Sequence, residues 1–477
     1  MLIDTINQPT FEENRRVAER RQIGDIPRQS VITESENRQP ASDRRAVGYL
    51  AVGHELRTDP VMDPDSMVAT TRSEMAWAKS DFLKAVREHP AVELIGAARL
   101  TTVDITPVEA DAALPGWKPV QTYIYKSIDP FQSANPKLVA ATTSFIQTAM
   151  VQAAMLKNTK DPELTYLSIN RSGKGKKQTL LTELVRSTDP GIDDWITNLP
   201  DAERLRPVAS PHKNTPTIIR TKDGKIVEIP LTDALQALVG TAGDGRAVRE
   251  REAWERIMVR DVIANTKLPD NKLVITSLGT GTGEPAMDTA IDAMQTVHGD
   301  AKYSIQVNGF DINPNSLAIA EHIAASKGDA LHFVPGLANI LSADGIKQVV
   351  AGTQANVYES IGFAEYVPSD DAPTEMERKQ RETMKRAGCL SAQEFYGTIY
   401  EHMPKGSVLV TGNMRDDSPQ ASFVVEGLGW KGIIQRPTED YLRILKGAEI
   451  PSEAVELYMP DPKDSAAVYN LVKITKL

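Results

Sequence analysis

At 477 residues the chain is too long for one ordinary domain, so two or three are expected. Hydrophobic residues make up 41% of it, enough for a real core, and the net charge of −10 argues against broad nucleic-acid binding and against an anionic membrane surface. The single cysteine, Cys389, excludes an internal disulfide and any cysteine-based metal cluster, and no metal site is expected.

The first residues, M-L-I-D-T-I-N-Q-P-T-F-E-E-N, are polar and acidic, unlike a signal peptide, so a soluble cytoplasmic protein is the expectation. Residues 1–45 are rich in Arg, Glu, Asn, Gln, Ser and Pro and poor in apolar side chains. They cannot bury enough surface to offset ordering entropy and read as a disordered arm. Residues 46–235 read as a mixed α+β accessory region. Within it, 75–86 has helical spacing, with Trp77, Phe82 and Val86 at buried positions. Residues 119–128 carry Val120, Tyr123, Ile124 and Tyr125 and predict a strand. The longest apolar stretch, 138–156, is interrupted by Gln147, Gln152 and several threonines. A buried helix over 136–157 is expected there, not a membrane span. His54 and His89 are isolated. Residues 171–177, R-S-G-K-G-K-K, lack the full G-x-x-x-x-G-K-[S/T] spacing and read as a solvated basic loop. Residues 187–216 are rich in Asp and Pro, show little periodicity, and read as a linker or long surface loop.

Asp223-Gly224 sits between two alternating apolar runs, a hairpin signal. A short helix over 231–239 should end at Gly240. Residues 246–265 form a second helix, with Val248, Trp254, Ile257, Met258 and Val262 towards one face. Its arginines have the spacing of surface pairs with Glu250, Glu252 and Glu255.

The segment that follows organises the chain. It reads K-L-V-I-T-S-L-G-T-G-T-G-E-P-A-M from Lys272, then Y-S-I-Q-V-N-G-F-D ending at Asp311. Leu273, Val274, Ile275 and Leu278 make a buried parallel strand meeting a turn. Gly279, Gly281 and Gly283 allow positive φ and let a ligand approach bare backbone. A helix with Met287, Ala290, Ile291, Met294 and Val297 on one side follows, and its N-terminus supplies unpaired N–H groups. Asp311, at the tip of the next strand, can accept hydrogen bonds from a ribose diol. Strand, glycine loop, helix, strand and acid together would hold a nucleoside-bearing cofactor. A dinucleotide wants G-x-G-x-x-G, whereas the pattern here is G-x-G-x-G with Glu284 at the third dinucleotide position. A glutamate there would repel a pyrophosphate and tolerate an ammonium, which points to S-adenosylmethionine.

This stretch resembles the first two motifs of the class I S-adenosylmethionine-dependent methyltransferase family. After Asp311, Asn313-Pro314 starts a helix and residues 330–334 form a third strand. Where the family often has an acid for the adenine amine, this chain has Leu337, followed by Ala338 and Asn339. Residues 354–368, Q-A-N-V-Y-E-S-I-G-F-A-E-Y-V-P, resemble the family's fourth motif, with Glu359 and Ser360 at a strand end and Glu365-Tyr366 on the loop beside the substrate. Residues 404–410 resemble the turn into the fifth strand, whose end brings Asn413 to the cleft. Runs at 454–459 and 467–474 resemble the terminal antiparallel pair. The resemblance covers 236–477.

It implies an α/β, doubly wound, mostly parallel sheet of seven strands, six parallel and one antiparallel, behind the mixed N-terminal region. It also implies methyl transfer from S-adenosylmethionine to a nucleophilic N, O, C or S atom. The acidic net charge and the lack of a nucleic-acid module favour a small-molecule acceptor over RNA, with a protein acceptor left open. Gly279, Thr280, Gly281, Gly283, Asp311, Ile312, Leu337, Ala338, Glu359 and Ser360 would hold the cofactor. Glu365, Tyr366 and His402 are the candidates for catalysis. Arg249, Tyr366 and Asn413 are those for the substrate, with Arg246 and Arg251 beside Arg249 on a helix that commonly covers the cofactor. A non-catalytic cofactor-binding scaffold and an NAD-dependent oxidoreductase are the other readings. Residues 1–235 could shape the acceptor pocket, bind a protein partner or form a homo-oligomer.

Overall fold

The computed structural model describes residues 64–108, 112–157, 180–198, 201–212, 214–221, 223–299, 301–418, 420, 423–430, 432–464 and 468–477. The arm at 1–45 and the basic loop at 171–177 lie outside these ranges. Helix α1 (Pro64–Glu88) precedes a hairpin of strands β1 (Thr102–Pro107) and β2 (Gln121–Ile128). Phe82 and Val86 are buried as expected, but Trp77 is 40% exposed. Asp129 then caps helix α2 (Pro130–Ala134), accepting from the Phe131 and Gln132 amides. The long apolar stretch is helix α3 (Pro136–Lys157), which packs Leu138, Phe145, Ile146 and Ala149 into the core against α1. By length and composition alone, its segment Pro136–Met155 could cross a bilayer.

Residues 180–209 form helices α4 (Leu180–Arg186), α5 (Pro190–Asn198) and α6 (Asp201–Ala209). The stretch expected as a linker is thus mostly helical. Ile192, Trp195, Ile196 and Val208 are buried, and Trp195 meets Trp430 edge to face. Few apolar side chains, each fully buried, anchor these short helices without a long periodic pattern. The hairpin of β3 (Thr217–Arg220) and β4 (Ile226–Ile229) turns at Asp223-Gly224 as expected. Helix α7 (Asp233–Thr241) runs through Gly240, which was expected to end it. A Cβ there would sit 2.3 Å from the Phe131 ring, so this glycine serves close packing, not a stop.

Helix α8 (Gly243–Asn265) leads into the organising unit: β5 (Lys272–Leu278), α9 (Glu284–His298), β6 (Ser304–Asp311), α10 (Pro314–Ala324) and β7 (Leu331–Leu337). Val297 of α9 is 42% exposed, so the buried face of that helix ends at Met294. Next come α11 (Ala343–Thr353), β8 (Val357–Ser360), α12 (Glu375–Arg386), α13 (Ala392–His402), β9 (Val408–Met414), α14 (Thr438–Gly447), β10 (Val455–Pro460) and β11 (Tyr469–Thr475). Ser391 and Glu394 form a reciprocal capping box at the start of α13.

One sheet runs β1-β2-β10-β11-β9-β8-β5-β6-β7. Strands β5 to β10 are parallel, and β11 is antiparallel to both neighbours. These seven strands form the expected doubly wound sheet of six parallel strands and one antiparallel. The sheet nonetheless has nine strands, because β2 pairs in parallel with β10 and carries β1 outside it. Strand order reverses between β5 and β8, and open α/β sheets bind ligands beyond the carboxyl ends at such a point. Pro335 lies within β7, an edge strand, where its missing N–H costs no ladder bond.

Arg249 of α8 ties the N-terminal region to the sheet. Its Nε and Nη2 donate to Asp129 at 2.9 and 2.5 Å, and its remaining N–H groups reach the Val208 and Gly240 carbonyls. Both side chains of the pair are at most 5% exposed. Arg249→Met should therefore cost about 3–5 kcal/mol in urea unfolding, because it strands a buried carboxylate. Adding Asp129→Asn, which keeps the cap oxygen, should recover part of the loss. Equal stability of Arg249→Met and the unsubstituted chain would show the pair to be dispensable.

Candidate active site

The loop between β5 and α9 is built on three glycines with positive φ: Gly279 at 77°, Gly281 at 54° and Gly283 at 71°. Side chains rarely adopt this conformation, which is why the sequence spaces glycines here. A Cβ on Gly279 would also meet the Phe363 ring at 2.5 Å. Gly283 precedes α9 in the left-handed conformation, and no side chain caps the first turn of that helix. The Gly279 and Thr280 amides both donate to the Phe310 carbonyl of β6. Asp311 braces the same loop: its Oδ2 accepts from the Gly281 amide at 2.9 Å and its Oδ1 from the Asn313 amide at 2.8 Å.

Strand register sets Asp311 opposite Leu337, and the Ala338 amide returns to the Asp311 carbonyl. Ile312 and Leu337 are exposed by 54% and 67%, two apolar side chains at neighbouring strand ends. Glu284, expected to oppose anions at the head of α9, is instead compensated. Arg206 of α6 lies 2.9 Å from one oxygen and Lys327 3.6 Å from the other. The discrimination against a dinucleotide therefore rests on the glycine spacing, not on this charge.

Across the switch point, Glu359 and Ser360 end β8. Glu359 accepts from the Ser277 hydroxyl at 2.6 Å and from the Ile361 amide. Ser360 is fully buried, and its hydroxyl, like that of Thr280, makes no hydrogen bond to another described residue. The chain then turns at Gly362, against which the Arg251 guanidinium packs, and forms a single 3-10 turn, Ala364–Tyr366. Glu365 is 1% exposed, and burial pushes its carboxyl up to about 7 against the pull of Arg251. The Tyr469 hydroxyl bonds Glu365 and accepts from Arg251 at 3.1 Å. Asp244 lies in the same neighbourhood, raised by burial to about 6, with neither oxygen hydrogen-bonded to a described residue. Burial also lifts Glu255 of α8, close to Glu359, whose own carboxyl is lifted in turn.

The structure thus gathers Gly279, Thr280, Gly281, Gly283, Asp311, Ile312, Leu337, Ala338, Glu359, Ser360, Glu365 and Tyr366 at one sheet edge. Three candidates are placed otherwise. His402 ends α13, which runs back from the strand tips, so it lies at the opposite edge, bonded to the Thr398 carbonyl near the start of β9. Seven residues of strand, about 23 Å, separate the two edges. Arg249 is consumed by Asp129. Asn413, expected to face the cleft, is 1% exposed and donates to the Ile434 carbonyl while accepting from Arg436, itself paired with Glu377. Sequence reasoning missed Asp244, Glu255 and Tyr469. The charges of α8 look like solvent pairs when its neighbours are unknown.

No protein-family model matches the chain, and no curated protein matches it. Solved structures to which it is similar include a possible exported protein from Bordetella parapertussis, at 14% identity over 70% of this chain and 96% of the other, with a TM-score of 0.41. The methyltransferase domain of a citrinin polyketide synthase is similar at 12% identity over 72% and 97%, with a TM-score of 0.35. Magnesium protoporphyrin IX methyltransferase from Synechocystis PCC 6803, solved with S-adenosylhomocysteine, is similar at 12% identity over 49% and 87%, with a TM-score of 0.31.

The buried acids make stability depend on pH. Glu252 of α8 is pushed up to about 7, chiefly by burial. A carboxyl raised on folding favours the protonated state, so its contribution is full below about 4.5 and is lost as pH rises through 7. Glu252→Gln, which mimics the protonated form, should stabilise the chain by up to about 3 kcal/mol at pH 8 and change little at pH 5. Thermal unfolding at both pH values tests this, and a loss of stability at pH 8 would mean the carboxylate is well paired.

Proposed function

We propose that this chain is an S-adenosylmethionine-dependent methyltransferase acting on a small-molecule acceptor. The observation that carries the reading is the loop of three positive-φ glycines at the topological switch point, braced by the carboxylate of Asp311. Gly279, Thr280, Gly281 and Gly283 would hold the methionine end through bare backbone and the Thr280 hydroxyl. Asp311 has lone pairs left for the ribose diol after accepting from Gly281 and Asn313. Ile312 and Leu337 offer apolar faces for the adenine ring, and the Ala338 backbone lies beside them. Ser360 and Glu359 close the site on the β8 side. The residues present therefore fit the cofactor in donor set, with no adenine-binding acid at Leu337.

The cofactor supplies an electrophilic methyl group that needs no further activation. What the protein adds is alignment of the acceptor and exclusion of water. Helix α8 does the second, since it lies over the strand ends with Arg251 against Gly362. For the first, the short turn at Ala364–Tyr366 places Glu365 and Tyr366 beside the end of β8. A carboxyl titrating near 7 is suited to taking a proton from an acceptor at neutral pH.

Calorimetric titration with S-adenosylmethionine, S-adenosylhomocysteine and NAD tests the reading. Micromolar binding of the two sulfur nucleosides and none of NAD is expected. Asp311→Ala should weaken both by at least tenfold, since each charge-assisted hydrogen bond is worth about 1.5–3 kcal/mol. Binding of NAD alone would overturn the proposal. Cofactor binding with no methyl transfer to any acceptor would assign the chain to a scaffold role.

A further inference from the structure

The acids around Glu365 go beyond what holding the methyl donor requires. Helix α8 carries five arginines, and four are held by other partners. Arg246 pairs with Glu250 and Asp464, Arg249 with Asp129, and Arg260 with Asp292, while Arg256 donates to the Thr101 carbonyl. Arg251 lies among Asp244, Glu252, Glu255, Glu359 and Glu365, with Arg249 also near Asp244 and Arg256 near Glu252 and Glu255. The Arg251 guanidinium is shared further with the Tyr469 hydroxyl. The acids around Arg251 outnumber the arginines that reach them, and Asp244, Glu255, Glu359 and Glu365 are each at least nine-tenths buried.

An acidic cluster alone could be a set of neutral acids. Here the hydrogen bonding adds a second observation. Both oxygens of Asp244, one of Glu255 and Oε1 of Glu365 make no hydrogen bond to a described residue. Leaving such groups buried and unmatched costs free energy that a bound donor would return. The Thr280 and Ser360 hydroxyls are unmatched in the same way, on the glycine loop and at the end of β8. Asp244 and Glu365 share Arg251, and Glu255 lies near Glu359 at the end of β8. An anionic acceptor would add repulsion, and a neutral one would donate hydrogen bonds but leave the excess of acids without a counter-charge. A cation with N–H donors satisfies both needs.

Resting on the methyltransferase reading, we infer that the acceptor is a cationic nitrogen compound, an amine, held by Asp244 and Glu365, with Glu365 as the catalytic residue that takes its proton. The protonated amine passes one N–H proton to a Glu365 carboxylate oxygen, which frees the nitrogen lone pair. The lone pair attacks the methyl carbon as the carbon–sulfur bond breaks. Its electron pair goes to sulfur, which leaves as a neutral thioether, and the methylated nitrogen carries the positive charge. Tyr469 and Arg251 position Glu365, and Arg251 limits how many of the acids can be neutral at once.

Sinefungin, which carries an amino group where S-adenosylmethionine carries its methyl, places a protonated amine at the acceptor edge of the site without needing the natural acceptor. Calorimetry with sinefungin, S-adenosylmethionine and S-adenosylhomocysteine is the test, on the unsubstituted chain and on Glu365→Gln. Sinefungin should bind at least tenfold more tightly than either sulfur compound, and that advantage should fall below threefold in Glu365→Gln. Unchanged S-adenosylhomocysteine affinity would show that the variant is folded. Should Glu365→Gln fail to fold, Asp244→Asn carries the test, with at least a threefold drop expected. Equal affinity for the three ligands, or an advantage that survives substitution, overturns the inference and leaves the methyltransferase reading intact. An equal advantage for sinefungin and S-adenosylmethionine would assign the acids to the sulfonium and overturn it too. Failure of all three to bind would sink the cofactor reading itself, and this inference with it.

Discussion

The fold depends on burying a charged helix. Helix α8 holds five arginines and five acids, Asp244, Glu250, Glu252, Glu255 and Asp261, and packs against α6, α7, α9, β1, β9 and β11. Charges in such a place must be matched, or each costs several kcal/mol. The arginines reach outwards for their partners, into the β1–β2 region, onto α9 and onto the turn between β10 and β11. Those reaches fasten the N-terminal region to the sheet. Of the acids they leave behind, Asp244 and Glu255 lie towards the strand ends, and Asp261 is exposed near the other end of the helix. Structural pairing and candidate chemistry are thus two results of one constraint.

The N-terminal region completes the site without supplying a recognisable motif. Its hairpin extends the sheet beyond β10. Its helix α6 brings Arg206 to Glu284 at the head of α9. Helices α5, α6 and α7 close over Asp244 through Trp195, Val208 and Leu238, all buried. The helix that follows the glycine loop is therefore braced at its head by a residue more than seventy positions upstream.

What could be read from sequence was local. Gly279, Gly281 and Gly283 need positive φ, and their spacing shows it. Leu273 to Leu278 and Ser304 to Asp311 announce strands by composition, and Asp223-Gly224 announces its turn. What depended on distant partners stayed hidden. Arg249 resembles a substrate residue until Asp129, 120 positions earlier, is seen to hold it. Asn413 sits at a strand end, yet Arg436 and Ile434 claim both ends of its amide. His402 ends a helix, and the direction of that helix decides which sheet edge it reaches. The short helices at 190–209 rest on a few buried side chains, Trp195 above all, and a pattern so brief gives no periodic signal.

The parallel pairing of β2 with β10 also governs how the molecule is assembled. Trp117 donates to the Ile450 carbonyl across 333 positions, and Tyr125 to the Tyr469 carbonyl across 344. A ribosome adding about 5–20 residues per second needs tens of seconds to cover such a gap. Throughout that interval the hairpin has Val103, Val120 and Tyr125 without their final neighbours, and its β2 edge is open as well as its β1 edge. Such edges recruit other chains unless they are shielded. The first strands made must therefore wait for the last, and the sheet closes only when the C-terminal pair slots in between the hairpin and β9.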